Sequence, residues 1–522
     1  MPEKSLESPP VKSTFPAYAS SFFAGAMVLF IELAGARWLA PSFGSALDVW
    51  ASLLSVTLLA ISLGAWVGGS LGDRSPRYRT LAWVWWASSL ALAVCLLLRR
   101  PVLGWSGNLG PGSGALLSSL VLYFPALFLL SAAAPLAVRL AAPSPDQVGR
   151  VVGRFSAVGT AGSCLGALVT GFILVPHFSL TRLFAGAAFI SAGFGLTLLS
   201  AAWKRPAPLL GLLGWGALLF LLSTSRSSGN LAGGNGVLLV MDTVQSLYGQ
   251  IRIVETPQSR YLLLDGIIQG GQDLGDQASV AGYTSTMEAL GRSAVAHPKR
   301  VLVIGLGAAI LPNRFAALGA AVDTVEINGQ MVEEAKKWFG FNPAPGRLHR
   351  MDGRRFLAQA QGPYDLILID AFSGEEVPGH LMTEECFRRC RDLLAPQGAL
   401  LMNYVGFDSG PDSLVPSVIA GTLQRDFAQV ELYALGEPHK RDNLILVARS
   451  TPTAWGPVPR GIPGPPDITA KFSALSSYKQ SLPSSDQVFR DDWHPADWMD
   501  RHSRSGWRKE ALEFMNRYGI DG

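Results

Sequence analysis

The sequence predicts a two-part protein: an N-terminal all-α bundle of about seven membrane-spanning helices, then a C-terminal α/β Rossmann-like domain preceded by a small β-hairpin subdomain. Three observations predict it. Charged residues are sparse from about Pro16 to Ser223, whereas apolar and charged residues alternate from about Val237 onward. Several apolar runs in the first half approach the roughly 20 residues that a bilayer-spanning helix needs. After Pro298, short apolar runs ending in glycine or an acid alternate with helical segments, the pattern of a parallel sheet covered by helices.

The membrane domain covers 1–223, with runs at 17–40, 50–70, 81–98, 115–140, 152–175, 183–202 and a shorter one at 207–223. Gly64, Gly68 and Gly72, and again Gly159, Gly162 and Gly166, recur at the spacing that lets helix backbones approach closely. Glu32 and Arg37 fall within or at the end of the first run. An ionisable group at that depth reads either as an ion pair, with Arg37 or Arg154 as partner to Glu32, or as a cation site. Loops on the side of the N-terminus hold Arg74, Arg77, Arg79, Arg139, Arg150, Lys204 and Arg205, against Arg99, Arg100 and Arg182 opposite. That bias puts the N-terminus in the cytoplasm. Seven spans would then put the soluble domain outside, and six would put it inside. The expected location is a multi-pass cell (inner) membrane, with the face of the soluble domain open. The first fifteen residues have no apolar core, so no signal peptide is expected there.

Residues 224–236, TSRSSGNLAGGNG, read as a flexible linker. The runs GVLLVMDTVQS, GQIRIVET and RYLLLDGIIQ make 237–297 a small β-rich subdomain. Residues 298–450 are expected to form the Rossmann-like domain, with strands VLVIGLG, AVDTVEI, YDLILIDAF, GALLMNYV and NLILVARS. The tail, 451–522, is rich in Pro, Ser and Trp and is expected to be irregular, with one short helix near its end. A net charge of +4 over 522 residues, with no Lys/Arg run, argues against nucleic acid. Cys95 and Cys164 lie in apolar runs, and Cys386 and Cys390 lack a matching ligand pair, so no metal site and no disulfide framework is expected.

The chemistry concentrates at strand ends. The first Rossmann strand runs into Gly305 and Gly307, which permit a tight turn and close backbone approach to a ligand, although two glycines alone also read as a plain turn. Glu326 ends the second strand 21 residues beyond Gly305, where an acid accepts both hydroxyls of a ribose. Asp352-Gly353 follows the next strand, with a carboxylate for an adenine amine. Asp370 ends the fourth as a substrate-amine binder, a catalytic base or a helix cap. Ile310 occupies the place of the third, phosphate-gripping glycine of a dinucleotide loop, so an S-adenosyl-type ligand fits better.

In order and spacing, YLLLDGIIQ, Tyr283, HPKRVLVIGLG, VEIN, MDG and YDLILIDAF resemble the spermidine synthase family over roughly 237–450. FFAGAMVLFIELAGARWLAPSFGS with LLAISLGAWVGGSLGDR resembles bacterial proteins fusing a transporter-like domain to such an enzyme, and DDWHPADW is similar to their closing Asp-Asp-x-x-Pro element. The resemblance implies aminopropyl transfer from decarboxylated S-adenosylmethionine to putrescine or a related amine, without metal or redox cofactor. It implies Gly305, Gly307, Glu326, Asp352 and Gly353 for the nucleoside, and Gln269 for the polyamine. Asp370 and Tyr283 would orient and deprotonate the attacking amine, and Asp265 would lie in the Asp-Gly turn that precedes the polyamine glutamine, as a substrate-binding or a structural residue. Departures are Ala308 in place of an Asp for the donor's ammonium, Gly249 in place of an amide, Thr284-Ser285 in place of a polar-acidic pair, and Ser373 in place of a second loop Asp. Candidates to replace the missing carboxylates are Asp273, Asp276, Glu375, Glu376, Asp491 and Asp492. Two other functions stay open: an S-adenosylmethionine-dependent methyltransferase, and a non-catalytic polyamine transporter or sensor. The expected partners are a polyamine, an S-adenosyl nucleoside and the lipid bilayer, with a homodimer as a further possibility.

Overall fold

The computed structural model describes residues 14–44, 47–141, 148–203, 214–220, 231–233, 236–372, 377–410, 412–434, 436–437, 440–480, 485–499, 506, 509–510 and 513. The chain divides into two compact units, one of Met1–Ala40 with Asp48–Ser227 and one of Pro41–Leu47 with Ser228–Gly522.

The first unit is all helix: α1 (Phe15–Phe43), α2 (Leu47–Arg74), α3 (Tyr78–Ser106), α4 (Pro111–Leu122), α5 (Phe124–Ala141), α6 (Val148–Val169) and α7 (Leu180–Trp203). A π-helical turn at Thr170–Leu174 carries α6 on to His177. Six helices are long and apolar enough to cross a bilayer among the described residues. The run 115–140 divides at Tyr123 into α4 and α5, because Pro125 has no N–H to continue the ladder. Of 207–223, only 214–220 is described, and it is helical. The predicted glycine stripes are where helices meet: a Cβ on Gly64 or Gly68 would strike the backbone of α5, and one on Gly162 or Gly166 the backbone of α1. Leu58, Trp66, Leu97, Phe172 and Ile173 are exposed apolar side chains on the outside of this unit.

The second unit begins with an antiparallel sheet, β1 (Leu231–Gly233), β2 (Gly236–Ser246), β3 (Gly249–Glu255), β4 (Ser259–Leu264) and β5 (Ile267–Asp273), paired in that order. Leu231–Gly233, expected in the linker, instead pairs with β2, because backbone pairing needs no particular side chains. After α8 (Gly282–Ala294) come β6 (Arg300–Ile304), α9 (Ile310–Ala317), β7 (Ala321–Val325), α10 (Gly329–Phe339), β8 (Leu348–His349), α11 (Gly353–Gln359), β9 (Tyr364–Ile369), α12 (Glu384–Leu393), β10 (Leu394–Gly406), α13 (Leu414–Leu423), β11 (Gln429–Ala434) and β12 (Asp442–Arg449). The tail adds helical turns over Pro466–Tyr478 and an edge strand, β13 (Lys479–Gln480). It is therefore less irregular than its composition predicts: Phe472 and Leu475 are buried against the sheet and order the turns. The expected helix near the chain's end falls mostly outside the described residues.

The eight strands run β13-β11-β12-β10-β9-β6-β7-β8. The five from β10 to β8 are parallel, and β12 returns antiparallel between β10 and β11. Two apolar layers, one around Phe356, Phe387 and Leu423 and the other around Leu290, Phe315 and Phe472, bury the sheet's faces. Chain order reverses between β6 and β9, so a crevice opens at their carboxyl ends.

Candidate active site

Register alone assembles the centre of the site. Ile304 pairs with both Val325 and Ile369, and Ile369 with Met402. The next residue on each strand, Gly305, Glu326, Asp370 and Asn403, therefore stands in one row along the sheet edge. Gly305 has φ +100°, and a Cβ there would strike the carbonyl oxygen of Asp370. Gly307, at φ +50°, would meet the carbonyl of Gln269 at 2.8 Å. Both glycines bring the loop against its neighbours, a tertiary demand that a plain turn does not make.

A cavity of about 480 Å³ lies over this row, lined by the loop Gly305–Gly307 and by Gln269, Tyr283, Glu326, Asp352, Gly353, Asp370 and Asn403, among others. Glu326 is buried. Its Oε2 accepts the Leu306 N–H at 3.0 Å and its Oε1 the Asn328 N–H at 2.8 Å. Burial raises its pKa, and these backbone donors oppose the rise. Asp352 caps α11, Oδ1 accepting the Arg355 N–H at 2.9 Å, while Oδ2 meets His380 Nε2 at 2.9 Å. Tyr248 and Ile327, each 42% exposed, form an apolar cover beside them. Ser246 aims Tyr248 by accepting its N–H at 3.1 Å.

Asp370 is the most perturbed acid of the cavity. Its Oδ1 accepts from Asn403 Nδ2 at 2.9 Å and its Oδ2 from the Tyr283 hydroxyl at 3.2 Å. Burial pushes its pKa up to about 7 despite both donors. Burial and the neighbouring Asp370 push the Tyr283 hydroxyl well above its ordinary value, so it stays a donor. Asn403 keeps a buried Oδ1 with no hydrogen-bond partner among the described residues, an acceptor beside Asp370. A carboxyl near neutrality, a fixed phenol and a free amide acceptor together can take a proton from an amine and orient it.

Other expected site residues lie elsewhere. Asp265 does not line the cavity: it has φ +46° in the β4–β5 turn with Gly266, and its Oδ1 accepts the Gln250 N–H at 2.8 Å. Asp491 is pinned outside by Arg354 Nη2 at 2.8 Å and the Thr383 hydroxyl at 2.7 Å, and Asp492 is exposed. Asp491 therefore ties the tail to α11 and to the start of α12, and neither acid lines the cavity. Asp273 closes its own turn by accepting from Gly275 and Asp276. Glu375 and Glu376 lie outside the described residues. Sequence reasoning missed Asn403, His380, Arg441, Asp442, Asn443 and Glu510, all of which line the cavity. Only Asn403 carried a signal, as the polar residue inside the apolar strand GALLMNYV.

No family model matches the chain. Over 112 residues it is 39% identical to the polyamine aminopropyltransferase of Vibrio vulnificus (strain CMCP6), covering 20% of this chain and 38% of that one. Part of the chain is thus similar to polyamine aminopropyltransferases. Over 141 residues it is 33% identical to the eEF1A lysine and N-terminal methyltransferase of Homo sapiens, 24% of this chain and 20% of that one. The chain spans less than two fifths of the length of either relative. Among solved structures, a probable spermidine synthase from Corynebacterium glutamicum aligns at 23% identity and TM-score 0.37, covering 41% of this chain and 81% of that one.

Proposed function

We propose that the α/β unit is a polyamine aminopropyltransferase-like enzyme, moving an aminopropyl group from decarboxylated S-adenosylmethionine to putrescine or a related amine and releasing methylthioadenosine. The observation that carries this reading is Asp370, buried between Tyr283 and Asn403 in the cavity that also holds Glu326 and Asp352. Glu326 binds the ribose hydroxyls, Asp352 the adenine amine, and Tyr248 and Ile327 cover the base. The donor's sulfonium is already a leaving group, so the protein supplies alignment and removal of one proton. Asp370 takes that proton as the amine nitrogen attacks the methylene carbon next to sulfur. The carbon–sulfur bond breaks and its electron pair stays on sulfur. Gln269 and Asn403 Oδ1 hold the amine in line.

The six candidate spans among the described residues would return the chain to the side where it began, and the loop charges favour the cytoplasm for that side, where S-adenosyl donors are made. On that count of spans, the proposed enzyme is a multi-pass membrane protein whose catalytic unit shares the side of its N-terminus.

Ala308 favours a second reading, methyl transfer from intact S-adenosylmethionine. It is buried among Ile251, Leu264 and Met331, and places no carboxylate where the resemblance expects one for the donor's ammonium. Incubation of the purified chain with putrescine and either donor separates the two. Spermidine with methylthioadenosine supports aminopropyl transfer, and S-adenosylhomocysteine supports methyl transfer. Ligand binding without either product overturns both.

A further inference from the structure

The end of the cavity farthest from the nucleoside residues carries charges that the proposed reaction does not use. Arg441, Asp442 and Asn443 open β12, where Gly406 pairs with Asp442 and Val405 with Asn443. All three line the cavity, and Arg441 is the one Lys or Arg that does so among the described residues. Its side chain is only 8% exposed and meets the carboxylate of Glu510, which is 65% exposed. A buried guanidinium requires an anion. Here that anion comes from an exposed glutamate of the C-terminal tail. Next to it stands Asp442, whose Oδ1 accepts its neighbour's N–H at 2.7 Å.

The order of the sheet sets the ruler. Glu326 follows β7, Asp370 β9 and Asn403 belongs to β10, while Arg441 and Asp442 stand at β12. Two strand spacings separate β9 from β12, roughly 10 Å. The three residues from Asn403, opposite Ile445, to Gly406, opposite Asp442, add roughly 10 Å along the strands, about 14 Å in all between backbones. Across that distance, which the Asp370 and Arg441 side chains lining the cavity shorten to about one extended side chain, an amine held at Asp370 faces a cation and an anion on adjacent residues. A plain diamine would present only a second ammonium to that pair, leaving the guanidinium without a counterpart from the ligand. An α-amino acid head presents both charges, its carboxylate matching the planar fork of arginine.

We infer that the acceptor is an α,ω-diamino acid of the lysine or ornithine class, its head group read by Arg441 and Asp442 and its ω-amine delivered to Asp370. The inference rests on Asp370 being the acceptor-amine site. Glu510 holds Arg441 in the free enzyme and yields it to the substrate carboxylate.

Calorimetry on the full-length protein in detergent, saturated with methylthioadenosine, tests this without requiring transfer. Lysine and ornithine should bind at least about tenfold more tightly than cadaverine and putrescine, the same molecules without the carboxylate. R441Q should bring lysine down to the level of cadaverine while leaving cadaverine within about twofold, and R441K should restore part of the difference. E510Q, which keeps the guanidinium and frees it, should strengthen lysine binding and leave cadaverine unchanged. Equal or tighter binding of the diamines, or parallel losses for both ligand classes in R441Q with no recovery in R441K, overturns the inference. Spermidine formed faster from putrescine than any product from ornithine would overturn it too, while leaving the proposed transferase intact.

Discussion

Asp370 pairs two facts that pull in opposite directions: burial lifts its pKa from 3.8 to about 7, and the donors Asn403 and Tyr283 lower it. Burial wins. The folded chain therefore holds a proton that the unfolded chain releases between pH 3.8 and about 7. Stability attributable to this group falls as pH rises through that window, and the loss is complete above about 7. Activity runs the other way, because the base works ionised. In D370N, transfer should fall by at least about 100-fold with nucleoside binding largely kept. The wild-type rate should rise with an acid limb near pH 7, and D370N should lose the stability slope between pH 4 and 7. Stopped-assay pH profiles and thermal melts across that range read both effects. An unchanged rate in D370N would remove Asp370 from the chemistry.

At the scale of elements, the tail is the instructive case. DDWHPADW resembles a substrate-side motif, yet Asp491 is bound by Arg354 of α11 and Thr383 at the start of α12, and its N–H donates to Glu385 at 3.1 Å. Phe489, fully buried, donates its N–H to Thr422 at 3.0 Å and anchors the same stretch on α13. D491N should thus cost about 1–2 kcal/mol of stability, from one partly exposed ion pair and one hydrogen bond. It should leave the Michaelis constants of both substrates unchanged. A selective rise in the constant for the amine would return this acid to the substrate site. Gly305 shows the same logic on a shorter scale, since its positive φ answers to the carbonyl of Asp370 on the neighbouring strand.

For the whole molecule, the proposed reading sets the α/β unit on the cytoplasmic side of the bilayer. Asp467 is exposed on the α/β unit, so D467C offers a thiol there. In intact cells it should resist a membrane-impermeant maleimide and label after permeabilisation, with the wild-type chain as background for Cys164, which is exposed on α6. Labelling in intact cells would place the unit outside and make 207–223 a seventh span.

Much of this was legible in the sequence because it depends on local pattern. Apolar run length marks the spans, a run ending in glycine or an acid marks a strand that reaches the crevice, and Gly305, Glu326, Asp352 and Asp370 all line one cavity. Asn403 was half legible, a polar residue in an apolar strand whose partner nothing local names. His380, Arg441, Asp442 and Glu510 were not legible, since charged residues in loops and tails look alike until the chain returns to the sheet. The sequence by itself determined an apolar helical half, an α/β half and the acids at the strand ends, because helical length, strand period and turn chemistry act over a few residues. Only the tertiary structure decided which acids share a cavity, that Asp491 and Asp265 stand outside it, and that a buried arginine closes its far end. Those outcomes depend on strand register and on burial, which bring together residues as far apart as Tyr283, Asp370 and Glu510.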